Sequence, residues 1–183
     1  MAAIMPSSMS TVFNFTFVPW FRSVAPYIHK FRQQTFVVGI TGEAIAAGKL
    51  QAIVQDLAMI QAMGVKIVLV HGFRPQVNEQ LRLKNHEPQY AAGMRITDSI
   101  ALDCAQEAAG QLRYEIEAAF SQGLPNTPMA GARVRVMSGN FLTARPGGIV
   151  DGVDLQHTGL VRKVDVEGSR RALESDAMAL ISP

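Results

Sequence analysis

The segment from Thr35 to Val70 constrains the fold more than any other part of the chain. "TFVVGI" is a continuous apolar run followed by a glycine at Gly42, the pattern of a strand buried on both faces. Leu50, Ile53, Val54, Leu57 and Ile60 then recur at helical spacing up to Gly64, a residue suited to end a helix. "KIVLV", residues 66–70, repeats the buried-strand pattern. Strand, helix and strand within about thirty residues make a βαβ unit. Its crossover is expected to be right-handed, which makes the two strands parallel.

The rest of the chain extends this α/β plan. Pro75 is a favoured first helical position for a helix carrying Val77 and Leu81. Asp98 or Ser99 caps a long helix in which Ile100, Cys104, Ala108, Leu112, Ile116 and Phe120 fall four apart, with Gly123 and Pro125 at its end. That stripe makes Cys104 a core residue rather than a reactive thiol. "ARVRVMS" and "FLTAR" alternate around Gly139-Asn140 and predict β-hairpins beside the main sheet. A short helix over 166–175 leads into "DAMALISP", expected to be a last buried strand that is unpaired and prone to edge pairing.

Ahead of the βαβ unit, Phe17, Phe21, Val24, Ile28 and Phe31 form one helical stripe opposite Arg22 and Lys30. Such a stripe either docks on its own domain or makes a subunit contact. Residues 1–16 read as a flexible extension. They hold no Lys or Arg and are interrupted by Pro6, so they make a poor secretory signal and no membrane span.

Composition removes several function classes. Seventeen basic residues face fifteen acidic ones, without the basic clusters that nucleic-acid binding requires. One cysteine permits no internal disulfide and fits a reducing, cytoplasmic compartment. His29, His71, His86 and His157 are scattered, with no metal-ligand spacing. "GEAIAAGKL" has the wrong glycine spacing for a phosphate loop, and Leu50 stands where Ser or Thr would hold magnesium.

Two segments carry chemistry of interest. In "KIVLVHGFRPQVNEQL" a strand turns at Gly72 into a helix, a geometry suited to an anion, yet Phe73 and Arg74 stand where further glycines would admit a phosphate. In "GMRITD", Arg95 precedes a helix N-terminus. Guanidinium and helix dipole would there converge on a carboxylate, unless Arg95 pairs with Asp98 or a nearby carboxylate to pin the loop.

The series "VVGITGE", "LVHGFRPQVNEQL", "GMRITD", "SGNFLTARPGGIVDGVDLQHTG" and "VRKVD" resembles the amino-acid-kinase-type domain of bacterial N-acetylglutamate synthases, the amino-acid N-acetyltransferases that open arginine biosynthesis. The resemblance runs from about Phe17 to Pro183 and implies a three-layer α/β/α fold with an open, mainly parallel sheet. It divides the chain into an extension over 1–16, a helical arm over 17–33, and the N-terminal portion of the domain over 34–183. It further implies an arginine-responsive regulatory scaffold, with acetyl-CoA and L-glutamate used by a separate acetyltransferase domain that is absent here. No catalytic residue or cofactor is then expected in this chain. L-Arginine is the implied effector, and the arm the implied contact of a homo-oligomer.

In the related acetylglutamate kinases a first-strand lysine neutralises phosphate and a glycine run follows the histidine. Here Val38-Gly39-Ile40-Thr41 has no lysine, and Phe73 and Arg74 interrupt the glycines, so stabilisation of phosphoryl transfer is expected to be lost. By resemblance, Gly72 matches the first glycine of the kinase phosphate loop and Arg95 the arginine that grips the acetylglutamate carboxylate. Both are carried as ligand-binding remnants. A working kinase and a non-catalytic arginine-binding or oligomerisation module are the alternatives.

Overall fold

The computed structural model describes residues 7–122 and 130–183, with the backbone alone for residues 7–16. Helix α1 (Ser7–Phe31) precedes strand β1 (Thr35–Ile40), a short α2 (Gly42–Ala46), α3 (Leu50–Ala62), β2 (Lys66–His71) and α4 (Arg74–Leu83). A hairpin of β3 (Gln89–Ala91) and β4 (Met94–Ile96) leads into α5 (Ser99–Ser121). Then follow β5 (Arg135–Ser138), β6 (Leu142–Pro146), β7 (Ile149–Val150), β8 (Val153–Asp154), β9 (Gly159–Val164), α6 (Val166–Glu174) and β10 (Ala177–Ile181).

The main sheet runs β1-β2-β10-β5 with every pair parallel. Its fold class is α/β, as expected. Side chains alternate between the two faces of each strand. Ile67 and Leu69 of β2, with Met178 and Leu180 of β10, join Val54 and Leu57 of α3 and Leu112, Ile116 and Phe120 of α5 in the principal core. On the opposite face, Ala172 and Leu173 of α6 pack on Ala179 and Val68. A smaller cluster joins Val77 and Leu81 of α4 to Ala101, Cys104 and Ala108 of α5, so Cys104 is a core residue.

Several expectations are corrected. The last strand is not unpaired: β10 lies between β2 and β5, and all five of its residues are buried. Unpaired edges fall instead on β1 and β5. β1 is not buried on both faces: α6 packs chiefly on β10 and β2, and Val37 stands 71% exposed. "RVMS" joins no hairpin: β5 pairs parallel with β10, while β6 pairs antiparallel with β9 and β7 with β8. Alternation alone does not name a strand's partner.

Helix α1 begins at Ser7 rather than Phe17, so the loose extension expected over 1–16 is helical for most of its length. The charged side that makes amphipathic spacing legible begins only at Arg22, and α1 runs through Pro19 and Pro26 although each removes a backbone donor and crowds the carbonyl four residues before it. Ile100 is 42% exposed in the first turn of α5, outside the stripe that the other five residues form. The end expected at Gly123 and Pro125 lies outside the described residues. Among the described residues no helix is long and apolar enough to cross a membrane.

The central place of β10 has a measurable consequence. Leu180→Ala is expected to lower unfolding free energy by about 2–5 kcal/mol, read from urea denaturation; a loss below about 1 kcal/mol would fit an outer strand instead. Val37→Lys, on the bare face of the edge strand, is expected to reduce self-association by light scattering while shifting stability by less than about 0.5 kcal/mol.

Candidate functional site

Two turns meet at the carboxyl ends of β1 and β2, where open α/β sheets place ligands. Thr41 caps α2 by accepting the Ala44 N–H at 3.2 Å. The Gly72 N–H donates to the Ile40 carbonyl at 2.7 Å. A β-carbon on Gly72 would lie 3.1 Å from the Gly42 nitrogen, and one on Gly42 would lie 2.7 Å from both Gln76 Oε1 and Pro75 Cδ. Gln76 Nε2 closes the junction by donating to the Gly42 carbonyl at 2.9 Å. The glycines therefore admit chain against chain.

Phe73 stands at the N-cap of α4 without capping it, and its ring packs against both the principal core and the α4–α5 cluster. The residue that interrupts the glycine run is thus a half-buried side chain that bridges two apolar clusters. Sequence reading missed this role because neither helical nor strand periodicity applies to a turn. Beside the junction, a cavity of about 420 Å³ is lined by residues 39–43 and 70–74. Glu43 and Arg74 are both among them, so a carboxylate that repels phosphate faces the same space as a guanidinium that attracts it.

A larger cavity, about 770 Å³, opens between β2, α4 and α5 on one side and the β6–β9 ribbon on the other. Both expected site residues, Gly72 and Arg95, line it, together with Arg74, His71, His157, Gln106 and Asn140. Its lining contains no Asp or Glu. Such a cavity favours an anion.

Arg95 lies in β4. Its Nη2 donates to Asn78 Oδ1 at 2.5 Å, its guanidinium lies 5.2 Å from the centre of the Tyr90 ring, and its Nη1 is buried without a partner. The alternative pairing with Asp98 does not form. Asp98 instead accepts the Ala101 N–H at 2.8 Å as the cap of α5 and lies 2.8 Å from His86. The Ala101 N–H, seconded by His86, holds its carboxyl below the usual range. The helix end is therefore taken by the chain's own carboxylate, and only the guanidinium of Arg95 remains for a ligand.

The motifs containing Arg95 and His157 form one wall. Thr158 Oγ1 donates to the Arg95 carbonyl at 2.5 Å and lies 2.7 Å from Thr97 Oγ1. His157 N–H donates to the Thr97 carbonyl at 2.9 Å, and Leu155 beside them is fully buried. Nothing in the spacing of these distant segments announced the contact.

Residues 34–183 match the family model described as the amino acid kinase family. The chain belongs to that family. Over 167 residues it is 60% identical to the amino-acid acetyltransferase of Ralstonia nicotianae, covering 91% of this chain and 37% of that protein. It is 46% identical to the amino-acid acetyltransferase of Ectopseudomonas mendocina, with 91% and 39% covered. Its structure resembles that of the N-acetylglutamate synthase from Neisseria gonorrhoeae complexed with coenzyme A and L-arginine, at a TM-score of 0.83 and 35% identity, covering 92% of this chain and 39% of that one. The chain thus spans about two fifths of the length of these relatives. The resemblance drawn from the motifs is borne out.

Within this amino acid kinase domain His71 is 2% exposed, with Nε2 at 2.9 Å from Ser182 Oγ and Nδ1 at 3.4 Å from the Gly72 carbonyl. Burial pushes its pKa below 6.5. The unfolded chain therefore takes up this proton first, and stability is lost as pH falls through 6.5 towards the folded value. Thermal unfolding followed from about pH 7 to pH 5 is expected to show this loss, and His71→Gln to flatten it. An unchanged slope in the variant would place the proton uptake elsewhere.

Proposed function

We propose that this chain is the amino-acid-kinase-type portion of an N-acetylglutamate synthase, the enzyme that converts acetyl-CoA and L-glutamate to N-acetyl-L-glutamate and CoA at the start of arginine biosynthesis. This portion is the regulatory scaffold, and acetyl transfer belongs to a separate acetyltransferase domain of the cytoplasmic enzyme. The observation that carries the reading is the closed turn junction. Gly42 and Gly72 pack against each other, Gln76 and Pro75 fill the space above Gly42, and the half-buried Phe73 packs against the core. Phosphoryl transfer is stabilised by positive charge and free backbone donors around the moving phosphate. Here β1 carries no lysine, and Glu43 lines the adjacent cavity.

Arg95 keeps a donor for a carboxylate in the larger cavity, whereas the place of Gly72 in that wall is structural. L-Arginine is the effector in this reading. It acts by binding one state of the enzyme more tightly than another. Among the described residues no Asp or Glu lines the cavity to meet its guanidinium, so Arg95 answers to its α-carboxylate. The arm α1, with Trp20 and Tyr27 60% and 63% exposed, is the contact through which copies of the chain assemble.

Calorimetric titration of the purified chain with L-arginine is expected to give saturable heat that Arg95→Ala abolishes. A phosphate-release assay with ATP and N-acetylglutamate is expected to stay at background. Phosphate release would overturn the reading in favour of a kinase, and absence of heat would remove the effector role and leave a scaffold.

A further inference from the structure

We propose that α1 is held to the sheet by a rigid joint seated on Gly64, so that this one residue sets the direction in which the exposed arm leaves the domain. An arm joined by residues 32–34 alone would swing if their backbone groups were free. They are not. Arg32 N–H donates to the Ile28 carbonyl at 2.9 Å and Gln34 N–H to the Phe31 carbonyl at 3.0 Å, which closes the end of α1.

The remaining amide crosses to the body. Gln33, at a φ of +65°, donates its N–H to the Gly64 carbonyl at 2.7 Å. Lys66 returns the contact, donating its N–H to the Gln34 carbonyl at 2.9 Å. Side chains lock the same place. The Phe31 ring meets Phe36 of β1 edge-on at 5.5 Å, and the Arg32 stem lies where a β-carbon on Gly64 would be, 3.1 Å from its Cγ.

Gly64 serves two elements at once. Its φ of +87° ends α3, with its N–H donating to the Gln61 carbonyl at 2.8 Å, a conformation that suits glycine. That same turn directs its carbonyl to Gln33. The joint sits at the amino ends of β1 and β2, opposite the cavity at their carboxyl ends. Motion of the arm therefore reaches the cavity only by moving the strands themselves.

A rigid joint matters to assembly only if the arm is the contact between copies, and that part rests on the proposed function. The joint itself is tested without it. Trp20 is the chain's one tryptophan. Its time-resolved anisotropy is expected to decay with tumbling of the whole chain, without a large independent arm motion on the nanosecond scale. Hydrogen exchange at Gln33 is expected to be as slow as within β1.

Gly64→Ala is expected to add a fast Trp20 component and to speed Gln33 exchange at least about tenfold more than it speeds Leu69 in the core, whose exchange follows global stability. Arg32→Ala, an exposed position that leaves the fold intact, is expected to free the arm partially. Unprotected Gln33 in the native chain, or Trp20 mobility unaltered by either substitution, would overturn the joint. Light scattering separates the two ideas: a monomer with a rigid arm refutes assembly through α1 and leaves the joint standing.

Discussion

Parallel pairing of β2 with β10 is the interaction on which the rest of the structure depends. Leu69 and Leu180 stand in register and fully buried, and helices cover the pair from both sides. A parallel pair needs a crossover between its strands, and the chain between β2 and β10 supplies α4, α5, the ribbon and α6. Of these, α4, α5 and the ribbon form the walls of the cavity, while α6 covers the opposite face of the sheet. Burial in the centre of the sheet thus decides where every loop at its carboxyl end must lie.

At that end the structure separates architecture from chemistry. A glycine turn leading into a helix is a phosphate cradle only if backbone donors face open space. In this chain Gly72 faces the backbone at Gly42, and the first turn of α4 is packed through Phe73. The same local geometry that serves catalysis in a kinase serves packing here. What survives beside it is a cationic cavity whose guanidinium, Arg95, is braced by Asn78 and Tyr90 on one side and by the Thr158 contact to its carbonyl on the other.

The lower end of the sheet has a different economy. α1 is exposed along much of the stretch from Phe17 to Phe31, yet its final turn is bound into the body through Gln33, Gln34 and Gly64. Mobility of an arm depends on its attachment rather than on its exposure. An apolar stripe on a firmly attached helix presents a defined surface, which is the form a contact between copies requires.

The sequence by itself determined the βαβ start and the stripe of α5 with Cys104 inside it, because hydrophobic period is a local property. Gly72 and Arg95 are marked as candidates by turn chemistry together with the family resemblance. Set beside the related kinases that it resembles, the sequence also showed a first strand without lysine and an interrupted glycine run. Only the tertiary structure decided that β10 is central, that β5 leaves its apparent hairpin to join it, and that β1 keeps a bare face. It alone placed Phe73 in two clusters, gave Asp98 to the helix end rather than to Arg95, and brought Thr158 against Arg95. Each of these depends on partners many residues away, and a strand's alternation or a side chain's charge does not specify which distant partner it meets.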